Sequence, residues 1–127
     1  MADLEEDSRQ LRQYLVKMYI ETWRFARKVA RVSIKLNGSD QQRLGSQREW
    51  LDMQWEQVLR AEELGLTVHR LRGETYDEGL ALEIMNADEC GEEGVYAISD
   101  VIEPLITDTQ GHTINVGKVF LRRVEHE

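Results

Sequence analysis

Residues 11–36 constrain this chain most. Leu11, Leu15, Met18, Thr22, Phe25, Val29, Val32 and Leu36 recur at alternating spacings of four and three, and all but Thr22 are apolar. The repeat puts them on one stripe of an α-helix, the pattern of a coiled-coil or bundle seam, with Tyr14, Tyr19, Ala26 and Ala30 placed to widen it. Asp7 or Ser8 is expected to cap this helix, and Asn37–Asp40 to end it, with Gly38 in a left-handed conformation. At ~1.5 Å per residue the helix is about 40 Å long. One small body cannot cover that length, so the stripe calls for a second helix, a second copy, or both. An intramolecular core and a homodimer interface are the two readings. The length favours the homodimer and assigns the eight residues to dimerisation.

A second helix is expected from Ser46, which stands three residues before Glu49 in capping-box spacing. Leu51, Trp55, Val58 and Leu59 form its apolar stripe, flanked by Trp50 and Met53, and Gly65 stops it. Residues 41–45 fit either a partial turn or a plain loop. After Gly65 the period changes to that of strands: Leu66, Val68 and then His69 or Leu71, followed by Leu80–Ala87. Residues 94–106 are rich in β-branched and aromatic side chains, and Pro104 is expected to bend or divide that run. A short strand around Thr113–Asn115, a turn at Val116–Gly117 and a closing strand Lys118–Val124 complete the pattern. The order is α+β: a helical dimerisation arm over 1–65, then a β-rich head over 66–127.

Composition narrows the class. Apolar residues make up 41% and charged residues 31%, which suits a folded chain rather than a disordered one. No apolar run reaches the ~18–20 residues of a transmembrane helix. The acidic start Met1–Gln10 lacks the apolar centre of a secretory signal, and Cys90 has no second cysteine to pair with. A cytoplasmic address is the resulting expectation.

The net charge of −8 is unevenly spread. Residues 1–7 carry four acids and no base, residues 8–36 eight bases against one acid, and residues 37–127 eight bases against nineteen acids. An acidic body opposes general nucleic-acid affinity, because phosphate contacts need cations. The basic run 23–35 keeps a local nucleic-acid surface open, with Trp23 and Phe25 between arginines. A solvated, charge-paired helix face is the competing reading, since Phe25, Val29 and Val32 already belong to the seam.

No reaction centre emerges. His69, His112 and His126 lack a helical i,i+4 partner or a cysteine cluster, so no metal is expected. The acidic run 88–93 reads as a solvated loop rather than an acid/base pair. An acidic setting raises a thiol's pKa, which argues against Cys90 as a nucleophile. No glycine-rich loop precedes a helix as a phosphate site requires. The expectation is a non-enzymatic protein without a cofactor.

The stretch from Trp55 to Ile84 resembles the passage from helix to β-domain in GrpE-type nucleotide exchange factors. Gly73, Tyr76 and Asp77 match the family's glycine, aromatic and aspartate positions. Farther on, Gly111, Thr113, Ile114, Asn115 and Gly117 are similar to its closing motif. Glu78 stands where the family has proline, and Ala81, Leu82 and Glu83 replace a His-Glu-Ala motif. Val116 is an added residue, and Lys118 takes the place of an arginine. Physically, Gly73 and Gly79 permit a chain reversal, Asp77 can bond nearby backbone N–H groups, and Tyr76 can anchor the corner.

The resemblance implies a homodimeric co-chaperone whose β head docks on the nucleotide-binding domain of a DnaK-type chaperone ATPase. Lys118, Phe120 and Arg122 on the closing strand, with Ile106 and His112 near the turn, are the assigned partner-binding residues. Phe120 as core and Arg122 as merely exposed is the competing reading. Two other functions stay open: a non-catalytic adaptor or structural subunit on the same fold, and a small nucleic-acid-binding regulator using the first helix.

Overall fold

The computed structural model describes residues 2–61, 64–91 and 93–124, with the side chains of the first helix described from residue 6. The chain divides into two compact units, Met1–Leu66 and Thr67–Glu127. Two helices followed by two three-stranded sheets make the fold α+β.

The first unit is a helical hairpin of α1 (Ala2–Ser33) and α2 (Gly38–Arg60). α1 starts before the expected cap at Asp7 or Ser8. Four acids among its first residues suit the positive end of the helix dipole, so helix forms through them. α1 ends in tight turns, with the Lys35 and Leu36 N–H groups donating to the Val32 and Ser33 carbonyls.

The expected stop then proves to be a start. Asn37 is extended and accepts from the Asp40 N–H at 2.8 Å through Oδ1. That bond caps α2 nine residues before Ser46, and Gly38 begins the helix without a left-handed angle. Helix formers at 41–44 carry α2 through Gly45, so the undecided segment is helix. α2 ends at Arg60, and Gly65, at φ 58°, reverses the chain so that the Leu66 N–H reaches the Leu59 carbonyl at 2.9 Å.

The stripe of α1 that meets α2 lies beside the expected one. Val16 and Tyr19 are buried, and Trp23 is half-buried. The Tyr19 ring stands edge-on to Trp23 and tilted against Trp55, at centroid distances of 6.2 and 5.7 Å. Its hydroxyl donates to Asp52 Oδ1 at 3.2 Å. Burying a tyrosine demands such a partner for its polar tip.

The second unit contains β1 (Thr67–His69), β2 (Leu82–Ile84), β3 (Tyr96–Glu103), β4 (Leu105–Thr107), β5 (Thr113–Asn115) and β6 (Gly117–Arg123), with a 3₁₀ turn at Ala87–Glu89. One sheet has the order β1-β4-β5 and is antiparallel; the other is β2-β6-β3, with β2 parallel to β6 and β3 antiparallel. The chain passes from one sheet to the other three times, first through residues 70–81 between β1 and β2, and then twice across a single residue: Pro104 between β3 and β4, and Val116 between β5 and β6. Strands that switch sheets at a bend form the corners of a crossed sheet pair. Proline suits such a corner because it has no N–H to leave unpaired. The Asn115 amide donates to the Pro104 carbonyl at 2.9 Å, tying the two corners together.

Gly117 opens β6 rather than forming the expected turn. A side chain there would meet Leu82 at 2.6 Å and the Leu105 backbone nitrogen at 3.2 Å. The close approach of three strands is what requires glycine. Gly73 has φ 88°, whereas Gly79 has no left-handed angle and instead donates its N–H to Asp77 Oδ1 at 2.9 Å. No described helix is long and apolar enough to cross a membrane.

Candidate docking face of the β unit

β6 is the central strand of its sheet, and its side chains alternate. Val119 and Leu121 are buried in the core. Lys118 and Phe120 are half-buried and Arg122 is exposed, so these three share the opposite, more open face. β3 sets Glu103 beside Lys118, Asp100 beside Phe120 and Ala97 beside Arg122, and β2 sets Glu83 beside Lys118. The face thus carries a cation, an aromatic ring and a second cation in a row, bordered by acids.

Lys118 is engaged. Its Nζ lies 3.0 Å from Glu103 Oε2, and the Glu103 side chain is only 11% exposed. A carboxylate so nearly buried needs a partner, and Lys118 supplies the charge that balances it. Ser99, at the first irregularity of the β3–β6 ladder, donates its hydroxyl to the Phe120 carbonyl at 3.1 Å. That bond steadies the backbone beneath the aromatic ring.

The other two expected docking residues lie elsewhere in the unit. Ile106 is fully buried in the centre of the β1-β4-β5 sheet. Its side chain is core and cannot meet a partner, which corrects its assignment. Apolar alternation at Leu105 and Ile106 carries no information on which face is covered. His112 is exposed, in the turn between β4 and β5. Asp108 organises that turn: Oδ1 accepts the N–H groups of Gln110 at 2.9 Å and His112 at 2.8 Å, and Oδ2 lies 3.3 Å from the His112 imidazole. Partial burial works to raise the Asp108 pKa, but the two backbone donors and the imidazole outweigh it and hold it below the ordinary value.

Two residues outside the expected set do structural work here. Glu103 anchors Lys118, as described. Asn86 lies just beyond β2 and continues its pairing with β6 through a side chain. Its Oδ1 accepts from the Leu121 N–H at 3.0 Å, and its Nδ2 donates to the Leu121 carbonyl at 2.8 Å. Only the Asn86–Glu89 spacing, also bonded at 3.2 Å, hinted that this asparagine was more than loop.

The expected dimerisation residues are divided by exposure. Leu11, Met18, Phe25, Val32 and Leu36 are exposed, while Leu15, Thr22 and Val29 are half-buried. The Thr22 hydroxyl donates to the Met18 carbonyl at 2.8 Å, within its own helix. Among the described residues no group of three histidine, cysteine or acidic side chains is placed to hold a metal ion. Cys90 is half-buried, with Sγ 3.5 Å from the Asn86 carbonyl. Comparison with protein-family models, with curated proteins and with solved structures finds no match for this chain.

Proposed function

We propose that this chain is a non-enzymatic, cytoplasmic docking protein: a homodimeric, GrpE-like exchange factor for a DnaK-type chaperone ATPase. The observation that carries the reading is the alternation along β6, which presents Lys118, Phe120 and Arg122 together while Val119 and Leu121 form the core. An aromatic flanked by cations is a good anchor for a protein surface, since such residues dominate binding energy at interfaces. No catalytic side chain is needed. A head that fits the open, nucleotide-free form of the ATPase better than the closed form weakens nucleotide binding. By linkage, nucleotide weakens the head's binding by the same factor. A coupling of about 1–3 kcal/mol corresponds to roughly 5–150-fold in nucleotide affinity.

A second reading, an adaptor on the same fold without exchange activity, has its own support. Lys118, the cation at the position matched in exchange factors, is held by Glu103 at 3.0 Å. A cation so committed has less to offer a partner.

Release of a fluorescent nucleotide from candidate DnaK-type ATPases distinguishes the two. Exchange activity predicts faster release that is lost on Arg122→Glu, a change at an exposed position. Binding without acceleration would establish the adaptor. Absence of binding to any of them would overturn both readings of the partner.

A further inference from the structure

Most of the exposed apolar residues of the helical unit fall on one side of the hairpin. Tyr19 and Asp52, bonded to each other, stand equally far from the turn at Lys35–Leu36, so α2 runs back along α1. In two right-handed helices of opposite direction, residues displaced from the contact line by the same rotation lie on the same side of the pair. Leu15 stands four residues before Tyr19, and Leu51 four before Trp55, and these two rings touch. Leu15, Thr22, Val29 and Leu36 continue the one row at intervals of seven, and Leu44, Leu51 and Val58 the other. The two rows therefore run side by side. Leu11, Met18, Phe25 and Val32 add a third row on the outer side of the first.

No charged side chain stands in these three rows. Thr22, their one polar member, satisfies its hydroxyl on the Met18 carbonyl of its own helix. Gln47 and Gln54, both neutral, alternate with the residues of the α2 row. Charges only border the face: Asp7 at one end, Asp40 and Arg43 at the other, and Glu21 and Lys28 along the outer edge of α1. Arg27 and Arg31 of α1 and Glu49 and Glu56 of α2 take the opposite side of the hairpin.

An interface about a two-fold axis sets each surface against its own copy. A charged face there opposes like charges; an uncharged apolar one does not. Seven residues of the rows, from Leu11 to Val58, are between 40 and 69% exposed. Together they present on the order of 700 Å², close to the ~800 Å² that each partner buries in a standard interface.

We propose that this uncharged face, built by both helices, is covered by the same face of a second copy, so that two hairpins close into a four-helix bundle. The inference rests on the homodimer reading above and deepens it, because α2 supplies part of an interface that the sequence assigned to α1 alone.

Sedimentation of full-length variants tests it, with circular dichroism reporting the helices. Leu51→Glu buries a charge on the α2 row of both copies and should raise the dimer dissociation constant about a hundredfold or more. Phe25→Glu should do the same from α1. Met53→Glu is the control: Met53 is 54% exposed but lies away from the three rows, so its variant should keep the dissociation constant of the parent. Should Leu51→Glu lose its helical signal, Val58→Lys replaces it at the other exposed site of the row. A dimeric Leu51→Glu beside a monomeric Phe25→Glu would overturn the two-helix face and leave a homodimer held by α1 alone. Dissociation by Met53→Glu as strong as that by Leu51→Glu would also overturn the face. A monomeric parent at micromolar concentration would overturn the face and the homodimer together.

Discussion

Among the described residues, the β unit buries Val68, Leu71, Ala97, Ile98, Val101, Leu105, Ile106, Val119 and Leu121, and exposes only Met85, Val95 and Val116 of its large apolar side chains. The helical unit has the reverse balance. It buries Val16, Tyr19, Leu59 and Leu66 while exposing eleven large apolar residues, from Leu11 on α1 to Val58 on α2. The β unit has completed its hydrophobic burial within one chain; the helical unit has not.

The sharpest way to break that contrast is to truncate one residue in each unit. Ile106→Ala, at a site with no exposure, should destabilise the fold by about 2–5 kcal/mol. Its unfolding midpoint in urea should fall equally at every protein concentration. Phe25→Ala should change the folding of a single chain by less than about 0.5 kcal/mol. Its cost should appear only as a midpoint that shifts with protein concentration. Equal behaviour of the two variants would erase the distinction between a finished core and an unfinished one.

A pair of glycines sharpens the same comparison. Gly117→Ala forces a methyl group against Leu82 and the Leu105 backbone and should cost about 1–3 kcal/mol, as overpacking does. Gly45→Ala adds its methyl to open space inside α2 and should stabilise the helical unit by about 0.5–1 kcal/mol. Thermal unfolding of both variants checks the opposite signs.

Acid probes the turn of the β unit, with the smallest effect. Because the Asp108 pKa is lower when folded than its ordinary 3.8, its stabilising contribution is complete above that value. It is lost as pH falls through the folded pKa. Asp108→Ala should therefore unfold more readily than the parent at neutral pH, and the gap should close below about pH 4. A gap unchanged at low pH would remove Asp108 from the turn's energetics.

The order of elements was readable from the change of period after Gly65, and Pro104 divides the long β-branched run where its missing N–H required. Other features depend on competition between equivalent local signals. Asn37 and Ser46 are both good caps; the helix formers between them let the earlier one win. α1 carries two adjacent apolar stripes, one through Val16, Tyr19 and Trp23 and one through Leu11, Met18 and Phe25. Only the long-range contact of Tyr19 with Asp52 and Trp55 decides which of them α2 covers. In the candidate face, alternation along β6 was legible. The commitment of Lys118 to Glu103 was not, because it depends on a register interrupted at Ile98/Asp100 and Val101/Glu103. The burial of Ile106 likewise follows from its position in a central strand, which no local pattern reveals.

The two corners at Pro104 and Val116 bear on how the β unit opens. β3 runs into β4, and β5 into β6, so the central strand of each sheet is joined at its start to a strand of the other sheet. Peeling one sheet apart must pull on the second through one covalent residue and through the Asn115 amide at the corner. Amide hydrogens in β4 and β6 should then exchange through the same opening event, with a single free energy for both sheets. Three-stranded sheets this short would hold little protection alone; joined at their corners, they share it.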